Sequence, residues 1–207
     1  MRFRYIAIEG PPGLGKTSLA QRLSERLEGE SVLDDELNPF FDDFLAGRSG
    51  AAFQAQVFYL MNRYLKLSRL SQRELFKGVE IADFMMAKDR IYAYLNLDDT
   101  ELMLYEKIYP TIAATVPAPE IVIYLQAPAS TLLKRLRRGA TRVPDDEAVR
   151  EIIRAYDYFF FHYSATPLLI VNCSEVDFAR PETKLDDLIA EIGLMSGGTR
   201  YYVPTAG

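Results

Sequence analysis

Gly10-Pro11-Pro12-Gly13-Leu14-Gly15-Lys16-Thr17 fits the pattern G-x-x-x-x-G-K-[ST]. It stands between Arg4-Tyr5-Ile6-Ala7-Ile8-Glu9, an apolar run of strand length, and a stretch in which Leu19, Leu23 and Leu27 recur every fourth residue. Strand, glycine-rich loop, helix is the context in which the pattern makes a phosphate loop. The glycines let the backbone curl so that successive N–H groups point at phosphate oxygens, and the helix N-terminus adds its positive dipole end. Lys16 is expected to hold the β- and γ-phosphates and Thr17 to ligate Mg2+ through its hydroxyl. The expected ATP-binding segment is Gly10, Pro11, Pro12, Gly13, Leu14, Gly15, Lys16, Thr17 and Ser18. No Asp is followed three residues later by Gly, so the D-x-x-G element of GTPase switches is missing.

Further apolar runs at 31–33, 79–82, 121–125 and 168–171 alternate with helical patterns. With 4–9, these give five strands in a parallel sheet covered by helices, an α/β fold of the P-loop, three-layer kind. The expected organisation is a single domain over 1–195, with a short arginine-rich lid at about 135–146 and a tail at 196–207. At 207 residues, with 49% hydrophobic and 26% charged side chains, the chain has the composition of a globular protein. A net charge of −5 argues against a duplex nucleic-acid partner, which requires clustered cations. One cysteine, Cys173, no apolar leader and no run of about 18 apolar residues lead to the expectation of a cytoplasmic protein without a membrane partner.

Candidate site residues follow from where the pattern places polar groups. Asp34 and Asp35 stop the second strand. Gln54 shares a helix face with Phe58, Met61 and Leu65, and is expected to be buried among apolar groups, where its carboxamide needs partners. Asp83 closes the third strand, at the carboxyl end where ligands bind in such sheets, and could face Mg2+. Lys134, Arg135, Arg137, Arg138 and Arg142 crowd a helix end and the loop beyond it; guanidinium groups there would neutralise charge on the phosphoryl being transferred. His162, in Phe159-Phe160-Phe161-His162-Tyr163, is expected in the core or at an interface.

Ile8-Glu9-Gly10, Asn38-Pro39-Phe40, Phe53-Gln54 with Phe58, Ala82-Asp83-Phe84 and Leu132–Gly139 appear in the order and spacing of the deoxynucleoside kinases. The chain resembles in particular the bacterial branch associated with purine deoxynucleosides, over residues 4 to about 193. The resemblance implies phosphorylation of a deoxynucleoside 5′-hydroxyl by ATP with Mg2+, and a homodimer formed through long helices. It implies Gln54 and Phe58 at the base, with Asp83 on the substrate and metal side. It implies Lys16, Arg135 and Arg138 in catalysis, with Arg142 on ATP, and an acid after the second strand as the base for the hydroxyl proton. Asp34, eighteen residues beyond Lys16, fits that acid's spacing; Asp35 competes if the count runs back from Asn38-Pro39. The chain departs from the family pattern at Leu45, Phe84 and Ala140. A nucleoside monophosphate kinase and a non-catalytic nucleotide-binding protein stand as alternatives. The first would need an arginine for the acceptor's phosphate, and residues 31–65 offer only Arg48 and Arg63.

Overall fold

The structure, a computed structural model, describes residues 2–70, 78–139, 145–180 and 185–204. In chain order the elements are β1 (Tyr5–Glu9), α1 (Lys16–Arg26), β2 (Glu30–Val32), α2 (Phe41–Leu45), α3 (Ala51–Ser68), β3 (Glu80–Ala82) and α4 (Ala87–Asn96). They continue with α5 (Asp99–Ala113), β4 (Ile121–Gln126), α6 (Ala129–Gly139), α7 (Asp146–Phe161), β5 (Leu168–Asn172), α8 (Asp186–Leu194) and β6 (Thr199–Tyr202). The chain divides into two compact units. One is Met1–Leu33, Gly78–Met85 and Pro119–Gly207; the other is Asp34–Lys77 and Met86–Ala118.

The first unit is built on six parallel strands in the order β2-β3-β1-β4-β5-β6. Ile6 pairs with Ile81 on one side and Ile121 on the other. Every residue of β1 is buried, as a central parallel strand covered on both faces requires. Leu19 and Leu23 of α1, Leu132 of α6, Val149 of α7 and Leu188 of α8 pack into the same core as Ile8, Ile123 and Leu169.

The sheet has six strands where the sequence pattern leads to five. β6 lies in the segment expected to be an unassigned tail, and pairs with β5 from Leu168↔Thr199 to Val171↔Tyr202. Its residues Thr199-Arg200-Tyr201-Tyr202 carry no apolar run because the strand sits at the sheet edge and is largely exposed. Of the two places expected for His162, the core is ruled out. This residue caps α7 in an exposed position, its ring Nδ1 2.9 Å from the Tyr158 carbonyl oxygen, while Tyr156 and Phe160 are the ring-bearing residues of that helix that enter the interior.

The second unit is helical. α5 starts in a capping box: Asp98 accepts from the Thr100 and Glu101 N–H groups, and Glu101 accepts from the Asp98 N–H. α3 buries Ala51, Ala55, Gln56, Leu60, Arg63 and Leu67. The last four recur at i, i+4, i+7 and i+11, the spacing of a single helix face. The Gln54, Phe58, Met61, Leu65 face has the same spacing, yet Gln54, Met61 and Leu65 are exposed. Gln54 is therefore not the buried carboxamide of this helix; Gln56 is.

Candidate active site

In the sheet unit, β1 runs straight into the phosphate loop. Gly15 adopts a left-handed φ of 78°, and a Cβ there would stand 2.8 Å from the Ala179 nitrogen, so only glycine fits. It is also the N-cap of α1, with no side chain capping the first-turn N–H groups. Lys16 folds back over the loop, its Nζ donating to the Gly10 carbonyl at 2.7 Å and the Pro11 carbonyl at 3.1 Å. The Leu14 side chain is fully buried in the core, which leaves its backbone for the loop. Thr17 Oγ1 donates to Asp83 Oδ2 at 2.5 Å, joining the two residues expected at Mg2+.

Sequence reasoning missed Glu9. Its carboxylate is wholly buried and accepts from the Gly10 N–H at 3.3 Å and the Met85 N–H at 2.7 Å. It thereby ties the start of the phosphate loop to the segment carrying Asp83. A lone acid at the end of an otherwise apolar buried strand was the available signal.

The arginine cluster divides. Arg135 Nη2 donates to the carbonyls of Cys173 at 2.7 Å and Val176 at 2.9 Å, which ties that nitrogen to the loop after β5. Arg137 pairs with Asp146 at 3.0 Å on the surface. Arg138 is exposed in the last turn of α6. Ala140 and Arg142, with most of the loop expected to form the lid, lie outside the described residues. Burial pushes the Cys173 thiol up to about 12, so it is not a nucleophile at neutral pH.

In the helical unit the two competing acids part. Asp35 is 68% exposed and holds the Lys66 ammonium at 2.6 Å. Asp34 is only 10% exposed. Its Oδ2 accepts from Arg63 Nη2 at 2.9 Å and from Lys88 Nζ at 2.7 Å, and Arg63 Nε lies 3.3 and 3.2 Å from its two oxygens. Burial alone would raise the Asp34 carboxyl, but the Lys88 and Arg63 charges outweigh it and hold the group well below the usual carboxylate range.

Arg63 is positioned from behind. Its Nη1 donates to Asp89 Oδ2 at 2.5 Å, and its guanidinium lies 5.0 Å from the Tyr59 ring centroid. The fully buried Asp89 also accepts from Gln56 Nε2 at 2.7 Å and from the Tyr105 hydroxyl at 2.7 Å. Burial and the adjacent Asp89 raise the Tyr105 phenol, which keeps it a donor. Of this assembly the sequence pattern singled out Asp34, and named Arg63 only as an arginine open to the monophosphate-kinase alternative. Phe58 packs edge-on against Phe40 with centroids 6.3 Å apart, and Asn38 fixes that turn by donating to the Ala55 carbonyl and accepting from the Phe40 N–H, each at 2.9 Å.

The deoxynucleoside kinase family model matches residues 6–195. A deoxyguanosine kinase of Bacillus subtilis (strain 168) is 38% identical over 137 residues, 65% of this chain and 66% of that protein. Among solved structures, deoxyadenosine kinase from M. mycoides with bound dATP superposes with a TM-score of 0.70 at 24% identity, covering 91% of this chain and 98% of that one. The same enzyme with the products dCMP and a flexible dCDP gives 0.72 at 22% identity, with the same coverage. At these identities the structural likeness shows the fold. Together with the family match over nearly the whole sequence, it accounts for the phosphate loop, the parallel sheet and the order of the motifs: the chain belongs to the deoxynucleoside kinase family.

Proposed function

We propose that this deoxynucleoside kinase takes the γ-phosphoryl group of ATP and places it on the 5′-hydroxyl of its acceptor, with Asp34 as the group that receives the hydroxyl hydrogen bond and then the proton. The observation that carries this reading is the Asp34 carboxylate, held by Arg63 and Lys88 in a partly enclosed site and kept ionised. A carboxylate with so depressed a pKa is a weak base. Phosphoryl transfer tolerates one, because in a loose transition state the attacking oxygen becomes strongly acidic only as its bond to phosphorus forms, so the proton leaves late. Asp34 then contributes chiefly by orienting the oxygen.

On the donor side, Lys16 exchanges its loop carbonyls for phosphate oxygens, and the loop N–H groups with the α1 N-terminus take the rest. Thr17 and Asp83 suit Mg2+: a hydroxyl and a carboxylate within 2.5 Å of each other are hard oxygen donors of the kind that ion takes from protein, the remainder coming from water and phosphates. When bound, the ion would neutralise charge on the phosphates.

The monophosphate-kinase alternative is weakened by the partners of the two arginines it could draw on. Arg63 is taken up by Asp34 and Asp89, and Arg48 pairs with Asp43 on the surface. A homodimer through the helical unit is supported by the exposed Met61 and Leu65 on α3 and Met103 and Leu104 on α5. A single cysteine, which cannot form a disulfide within the chain, supports a cytoplasmic setting. The test is turnover with ATP against the common nucleosides, deoxynucleosides and deoxynucleoside monophosphates, with deoxyguanosine first because a relative is a deoxyguanosine kinase. Monophosphate formed from a deoxynucleoside is expected. Turnover of monophosphates alone, or of nothing, overturns the proposal.

A further inference from the structure

We propose that Lys88 is the binding residue for the newly made 5′-phosphate: its ammonium, which holds Asp34 before reaction, also takes the phosphoryl oxygens as they arrive on the acceptor. The inference deepens the proposed function and rests on Asp34 meeting the 5′-hydroxyl.

The reaction breaks the bond between the γ-phosphorus of ATP and its bridging oxygen, and forms a bond from that phosphorus to the acceptor's 5′ oxygen. The 5′ proton passes to Asp34, and ADP leaves. A hydroxyl that gives its proton to Asp34 lies about 2.6–3.2 Å from a carboxylate oxygen. The new phosphate oxygens are therefore only two bonds further from Asp34, and Lys88 Nζ already stands 2.7 Å from Asp34 Oδ2. Once Asp34 has passed that proton on, the phosphate stands as an anion beside a carboxylate, a like-charge juxtaposition that requires a cation.

Arg63 and Lys88 both touch Asp34, and their geometry separates them. Arg63 is a planar fork fixed on three sides, by Asp34, by the buried Asp89 at 2.5 Å and by the Tyr59 ring at 5.0 Å, so it cannot swing without breaking a buried pair. Lys88 enters from the first turn of α4 on a flexible four-carbon stem and carries three rotatable donors, so one ammonium can bridge Asp34 and a phosphate oxygen. The charge movement acts in the same direction. As Asp34 accepts the proton its hold on Lys88 weakens, at the moment the phosphate charge appears. A merely structural Lys88 would keep Asp34 in place and act equally on free nucleoside and monophosphate; a phosphate-binding Lys88 separates the two ligands.

The measurement is calorimetric titration of the full chain with the deoxynucleoside it turns over fastest and with that nucleoside's 5′-monophosphate, for wild type, Lys88→Met and Lys88→Arg. For Lys88→Met the expected result is nucleoside affinity within about threefold of wild type and monophosphate affinity weaker by roughly 10–100-fold, the size of one charge-assisted hydrogen bond. Lys88→Arg should regain most of the monophosphate affinity. Equal weakening for both ligands in a folded Lys88→Met, or none for either, overturns the proposal. If thermal melting shows that Lys88→Met does not fold, Lys88→Gln is read by the same criterion. A wild-type chain that phosphorylates no deoxynucleoside would instead sink the underlying reading, and that assay precedes the variants.

Discussion

In the sheet unit, four charged side chains around the phosphate loop and the segment after β5 end on backbone atoms. Glu9 accepts from two N–H groups, Lys16 donates to the Gly10 and Pro11 carbonyls, Arg22 to those of Phe178 and Arg180, and Arg135 to those of Cys173 and Val176. In the helical unit side chains end on one another, in a run from Lys88 and Asp34 through Arg63 to Asp89, Gln56 and Tyr105. Backbone partners are held in place by the loop itself, so losing one side chain leaves its partners where they were. Side-chain partners are held largely by other side chains, and removing a wholly buried one leaves a buried charge uncompensated. Loss of Lys16 should therefore cost activity without the fold, whereas loss of the wholly buried Asp89 should cost the acceptor half its fold.

The sharpest way to break that contrast is Lys16→Ala. It removes the phosphate-facing charge but no core packing, so turnover should fall by roughly 10³-fold or more with the thermal midpoint nearly unchanged. Activity within about tenfold of wild type would remove Lys16 from the chemistry. The opposite pole is Asp89→Ala, which touches neither ligand on the present reading but strands Arg63 in a buried site. Breaking such a pair costs about 3–5 kcal/mol, to be measured as a lowered urea midpoint. A loss below about 1 kcal/mol would mean the run of side chains is not a unit.

Between these poles lies Asp34→Asn, expected to lower kcat by at least about a hundredfold with ATP affinity preserved. It also has a pH signature. The folded-state pKa of Asp34 is depressed, so the stability it contributes is present above the unfolded value of about 3.9 and is lost as pH falls through and below it. Wild type should lose stability below about pH 4 more steeply than Asp34→Asn. Parallel acid profiles for the two proteins would show that the pair with Arg63 and Lys88 does not stabilise the fold.

The same contrast explains what was legible in the sequence. Gly10 to Thr17 could be read because a motif that works through backbone is local: glycines at fixed places, then a helix. The Asp34 assembly draws on residues from 34 to 105, and no spacing in the chain announces that Arg63 faces Asp89. β6 was hidden because an exposed edge strand needs no apolar run. On α3 the periodicity was correct but ambiguous, since both faces carry apolar residues at helical spacing and only packing decides which one turns inward. Gln54→Leu and Gln56→Leu separate the faces. The first should weaken deoxynucleoside binding by about 1–3 kcal/mol and leave stability alone; the second should cost about the same in stability, because Asp89 loses a buried donor. A reversal of those two outcomes would exchange their roles.

The smallest expected effect belongs to Asp35→Asn, and it tests the register on which Asp34 was chosen. Both acids lie in irregular chain beyond β2, where Asp34 turns to Arg63 and Lys88 while Asp35 turns to solvent and to Lys66. A pair with one partner 68% exposed is screened by water, so the Lys66 bond is worth well under about 1 kcal/mol. Asp35→Asn should accordingly leave kcat within about threefold and the urea midpoint within error. If instead it costs as much as Asp34→Asn, the count from Lys16 has chosen the wrong acid and the register counted back from Asn38-Pro39 is the true one. That register has a physical anchor of its own, because Asn38 is fixed at both ends by the Ala55 carbonyl and the Phe40 N–H. The Lys16 count and the Asn38 count thus make opposite predictions for two adjacent carboxylates, and a pair of kcat values decides between them.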